Sequence, residues 1–270
     1  MIQSLSLILL SCFLILAELP HSAEAAAPLP RFRVETKGFK ASEADIKNLL
    51  DSATLELWKH FPNYPLDPIV ITRGNDGPIV LYKRNSKDEI VVRLDTSGSY
   101  WSQYSYQWAH EFCHILCGFR PDGRENKWFE ETLCELASLY VMRSMAKTWE
   151  SKPPYPNWKN YRHSLQTYAD NVIAKREKIT PFQLDNFYRK HATSLRKDST
   201  QRHLNGAMAA ALLPLFEEKP EHWEAIRWLN TKPATKGMSF ARYLKKWHDS
   251  VPHKHKSFVK KISKLYGVSV

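Results

Sequence analysis

His110 and His114 stand four residues apart with Glu111 directly after the first, and one backbone conformation lets all three act together. On an α-helix, side chains four apart lie one turn apart on the same face, so both imidazoles can hold a single cation. Glu111 projects about 100° round the axis, where it reaches a water rather than the cation. The surrounding residues fit such a helix: Tyr104, Trp108, Phe112, Ile115 and Phe119 are available for burial, and Gly118 and Pro121 end it.

A catalytic zinc takes three protein ligands and keeps a fourth position open, so a third ligand is required. A second expected helix, begun by Asn126, offers Glu130, Glu131 and Glu135. Glu131 and Glu135 are four apart and share a face. Glu131 can complete the donor set while Glu135 accepts a hydrogen bond from the outer nitrogen of a ligand histidine. Glu130 points elsewhere and reads as a first-turn carboxylate favoured near a helix N-terminus, with the ligand role as its alternative.

The pattern HExxH followed by W-x-x-E-x-x-x-E, here His110 to His114 and then Trp128, Glu131 and Glu135, resembles the gluzincin metallopeptidases. It is similar in particular to their aminopeptidase N-like branch, although the connection from His114 to Glu131 is shorter than in that branch. The resemblance implies His110, His114 and Glu131 as ligands of one zinc ion, Glu111 as general base, and hydrolysis of a peptide or protein substrate. That branch also opens a later helix with Y-x-K-G-A, its tyrosine stabilising the oxyanion. The corresponding stretch is His203, Leu204, Asn205, Gly206 and Ala207, which puts His203 in the donor's place with Arg202 as the competing candidate. The branch's segment for binding a free amino terminus has no counterpart before His110.

The rest of the chain reads as α+β. An amphipathic helix is expected from about residue 41, capped by Ser42 and burying Ile46, Leu49, Leu50, Ala53, Leu57 and Trp58. Three β-rich runs follow at 68–72, 78–82 and 89–94, separated by turn residues, and are expected to form a small, mostly antiparallel sheet. Beyond Ser99 the pattern is helical almost to the end. The expected organisation is a leader at 1–25, an α/β part with the small sheet at 26–99, a zinc-binding helix pair at 100–145 and a helical part at 146–270. The site falls where the sheet and helical parts meet, and the strand ending near Leu94 is expected to lie beside an extended peptide and pair with it.

Residues 5–17 are almost uninterruptedly apolar and are followed by small residues up to Ala25. That run is shorter than the roughly 20 residues a membrane-spanning helix needs, so it reads as a signal peptide and the protein as secreted. The formal charge of +11 favours anionic surroundings such as cell-wall polymers or lipid headgroups. Basic residues are densest at 245–264, and no recognised nucleic-acid motif occurs. Cys113, Cys117 and Cys134 read as small buried apolar residues, with a Cys117 to Cys134 disulfide as the alternative. A different class of function is a secreted binding protein that keeps the fold and does not turn over peptides. The oligomeric state has no signature in the sequence.

Overall fold

The computed structural model describes residues 29–122 and 124–270; the leader expected at 1–25 lies outside them. The expected first helix is α1 (Glu43–Trp58), where the Ser42 hydroxyl accepts from the Asp45 N–H at 3.0 Å. All six apolar residues assigned to its inner face are buried, each large aliphatic one contributing about 1.5–3 kcal/mol.

The fold is α+β as expected, and the sheet corrects one part of that expectation. Its strands are β1 (Phe32–Val34), β2 (Ile69–Arg73), β3 (Ile79–Val80) and β4 (Ile90–Leu94), in the order β1-β2-β4-β3. The pairs β1 with β2 and β2 with β4 run parallel, and β3 alone is antiparallel, against β4. Two features produce this order. Phe32-Arg33-Val34 is too short to show a period, yet its pairing with β2 turns the link through α1 into a β-α-β crossover. The turn at 74–77 does not close a hairpin either. It carries the chain past the width of one strand, and β4 fills the gap, its Leu94 carbonyl accepting from the Gly74 N–H at 2.9 Å. Leu94 therefore lies in an inner strand, and β3 is one of the two edge strands, β1 being the other.

Two helices follow and carry the candidate site residues: α2 (Trp101–Leu116) and α3 (Lys127–Thr148). Gln107 ties α2 to the end of β4, its side-chain oxygen accepting from Asp95 N at 2.8 Å and its amide donating to Asp95 O at 2.9 Å. Trp108 fixes the opposite side through an indole N–H donated to Thr54 Oγ1 at 2.8 Å and a ring stacked on Phe112. Gly118, at φ +65°, ends the helix in a conformation that favours glycine.

Helix α3 is buried nearly all round from Trp128 to Met142, the mark of a core helix. Around it lie α4 (Arg162–Ala174), α5 (Leu184–Lys197), α6 (Arg202–Glu218), α7 (Phe240–Ser250) and α8 (His253–Leu265). One apolar cluster runs from Phe32 to Tyr266, so the sheet and the helical half share a core. No helix of the described residues is long and apolar enough to cross a membrane.

Candidate metal centre and cleft

The start of α3 is pinned before any polar contact is counted. Trp128 is fully buried, with Tyr188 at 5.1 Å and Phe240 at 4.6 Å between ring centroids, and Phe129 packs on Phe240, Trp247 and Tyr266. Asn126 does not cap the helix with its side chain; its amide donates instead to the Met238 carbonyl at 2.9 Å. This clamp sets the rotation of α3 so that Glu130 and Glu131 face α2.

Glu131 Oε2 lies 3.2 Å from His110 Nε2 and 3.5 Å from His114 Nε2. Donors bound at about 2.0–2.1 Å in a tetrahedral zinc site are about 3.3–3.4 Å apart, and both spacings to Glu131 lie near that value. His110, His114 and Cys134 also form a group whose donor atoms lie within 4.8 Å of one another. Of the two α3 donors, Glu131 lines the open cleft while Cys134 does not. Cys134 is fully buried, as are its neighbours Cys113 and Cys117. All three thiols are free and buried, so the Cys117 to Cys134 disulfide is not formed.

The outer nitrogens of both imidazoles point at carboxylates, though not with the expected emphasis. His114 Nδ1 donates to Glu130 Oε1 at 2.5 Å. Glu130 Oε2 accepts from Asn230 Nδ2 at 2.8 Å, and Asn230 Oδ1 accepts from the Tyr243 hydroxyl at 2.8 Å. Glu130, read from sequence as a first-turn carboxylate or a ligand, is thus the close partner of His114. Nothing in the sequence distinguishes it, because its role depends on which side of His114 the α3 backbone passes. Glu135 stands beside His110 Nδ1 at a longer 3.9 Å. Its Oε1 is taken by the Tyr106 hydroxyl at 2.6 Å and by Arg176 Nη2 at 2.8 Å. Tyr106 had a signal: it precedes His110 by one helical turn and shares its stripe. Arg176 had none.

Charge follows from these contacts. Burial works against a charge on His114, but hydrogen bonds to Glu130 and Glu131 outweigh it and push the imidazole well above its ordinary range. Burial likewise opposes ionisation of Glu131, and the two histidines overcome it and hold that carboxyl well below the usual range. A cation entering here displaces a proton from His114.

Above these groups opens a cleft of about 830 Å³. Glu111 lines it beside His110, His114 and Glu131, and no described residue hydrogen-bonds to its carboxylate. One wall is the β3 edge, with Pro78, Ile79 and Val80, continued by Tyr82 stacked on Phe119. The other is built by Tyr168, Val172 and Arg176 at the end of α4 and by the chain from Arg196 to Arg202 that joins α5 to α6. The expected pairing of a peptide with the strand ending at Leu94 is corrected by this arrangement, since that strand is inner and β3 borders the cleft.

His203 is also corrected. It is exposed and outside the cleft, whereas Arg202 and Asn205 line it. Positions 202 and 205 are three apart on α6 and share a face, which turns 203 away. Gly206 has a different basis from the motif comparison: a Cβ there would fall 2.3 Å from Arg176 Nε, so glycine lets Arg176 pass over α6 to reach Glu135. Comparison with protein-family models, with curated proteins and with solved structures found no match.

Proposed function

We propose that the protein is a secreted, zinc-dependent peptidase that opens an amide bond by attack of water, with Glu111 as general base. The observation that carries this reading is the meeting of His110, His114 and Glu131 at 3.2 and 3.5 Å in the lining of a cleft that Glu111 also lines. Two imidazoles and a carboxylate are a usual donor set for catalytic zinc, and a structural site has no use for an unengaged carboxylate beside it. Bound there, zinc supplies Lewis acidity that polarises a carbonyl and acidifies a water.

The chain's own groups do the rest. The free β3 edge pairs with an extended peptide by main-chain hydrogen bonds and presents its carbonyl carbon to that lining. Glu111 takes a proton from the attacking water as the O–C bond forms, then passes it to the nitrogen as the C–N bond breaks. Arg202 donates to the oxygen that carries negative charge between the two events. Glu130 and Glu135 orient the imidazoles from behind. The overall basic charge suits work near anionic surfaces.

Metal analysis of the purified protein, with peptide-library cleavage in the presence and absence of a chelator, tests the reading. One zinc per chain and chelator-sensitive cleavage are expected, and Glu111→Gln should abolish cleavage while retaining the zinc. A folded, zinc-loaded wild type that cleaves nothing would return the chain to the class of binding proteins.

A further inference from the structure

The cleft walls carry more cationic charge than the proposed hydrolysis uses. Lys127, Arg176, Arg196, Lys197 and Arg202 line the cleft together with Glu111, Glu131, Glu135 and Asp198. Most of these are answered locally. Arg176 pairs with Glu135, and Glu131 is held between two histidines. Asp198 turns back on its own loop, accepting from the Thr200 N–H at 2.9 Å and hydroxyl at 2.8 Å. Lys127 lies over the Tyr82 ring, with the charges of Glu130 and Glu131 close behind it.

Arg196, Lys197 and Arg202 form no ion pair with a carboxylate among the described residues, although the charge of Glu125 acts on Arg196 from nearby. Arg196 is nevertheless held in place, its Nη1 donating to the Met238 carbonyl at 3.2 Å. Arg202 reaches across towards the sheet, its Nη2 3.9 Å from where a Cβ on Gly77 would stand. All three line the cleft whose opposite wall is β3, a concave site whose low-dielectric walls strengthen their field.

We infer that the cleft selects peptides carrying a Glu or Asp side chain near the scissile bond, read by the cationic pair Arg196 and Lys197. This rests on the peptidase reading and adds the substrate class to it. Guanidinium groups pair with carboxylates through two parallel hydrogen bonds. A glutamine of the same shape would offer a single neutral acceptor, and a lysine would be repelled.

The test uses the zinc-loaded full chain and three peptides identical except for Glu, Gln or Lys at one position near the cleaved bond, the position being scanned on both sides. The expected order of kcat/KM is Glu over Gln by roughly tenfold or more, with Lys lowest. The Glu advantage should shrink at high salt. It should shrink towards unity in the double variant Arg196→Gln/Lys197→Gln, read as the Glu-to-Gln ratio within each enzyme. Lys197→Gln alone, at an exposed position, covers the case in which the double variant does not fold, and should reduce the advantage in part. Equal cleavage of the Glu and Gln peptides, or an advantage untouched by both variants, overturns the inference and leaves the peptidase reading standing. Failure to cleave any of the peptides at any position, with zinc bound, overturns both.

Discussion

Replacing Glu130 by Gln alters the far side of His114 while leaving every cleft-facing group in place, and the contacts set the size of the effect. Glu130 and His114 are 3% and 6% exposed, so solvent cannot substitute for what is lost. The carboxylate accepts from His114 at 2.5 Å and from Asn230 at 2.8 Å. A glutamine has one acceptor for these two donors, so its NH2 must oppose either the imidazole N–H or the Asn230 amide. An unmatched buried donor costs about 1–3 kcal/mol. Asn230 cannot turn over without disturbing its bond from Tyr243 at 2.8 Å. Loss of an outer carboxylate typically weakens metal binding ten- to hundredfold, or about 1.4–2.8 kcal/mol, and the burial places Glu130→Gln in the upper half of that range. Glu135→Gln should cost less, because Glu135 stands 3.9 Å from its histidine. Competition titration of zinc against a fluorescent chelator measures both, with circular dichroism to confirm that each variant is folded. Unchanged zinc affinity in folded Glu130→Gln, or a larger loss in Glu135→Gln, would refute the reasoning.

Three further outcomes are expected. Glu131→Gln should lose zinc, whereas Cys134→Ser should bind one ion per chain as the wild type does; metal analysis giving the reverse would make the thiol the third ligand. Gly206→Ala should lower stability by about 1–3 kcal/mol through overpacking and loosen Arg176 from Glu135, read by urea unfolding and by reduced activity; a variant with wild-type stability would show that Arg176 has room to move. His60, beside the Tyr140 hydroxyl at 3.2 Å, is lowered by burial from 6.5 to about 4. The unfolded chain therefore binds the proton more readily, so this stabilisation is complete above pH 6.5 and is lost as pH falls towards about 4. Thermal unfolding of wild type against His60→Gln should show the wild type losing ground over that interval, and parallel pH profiles would count against it.

Much was legible without coordinates wherever the deciding interaction is local. The Ser42 cap and the buried stripe of α1 follow from spacing along one helix, as does the face shared by His110 and His114. The β2, β3 and β4 runs were likewise marked by β-branched residues between turns. The free, buried state of Cys113, Cys117 and Cys134 agrees with their small apolar character. What escaped depends on how separate elements meet. Phe32 to Val34 acquires its meaning as a strand only from β2, and the parallel order follows from that pairing and from β4 entering the gap left at 74–77.

The amino-acid order by itself determined which chemistry the chain could carry, because helical periodicity alone puts two imidazoles on one stripe with a carboxylate beside them. Which carboxylates meet those imidazoles from front and back, which way Arg202 and His203 face and which strand borders the cleft were settled only when the aromatic clamp on α3 and the shared core fixed the elements against one another. Rotation and register between elements are products of packing, and no local spacing encodes them.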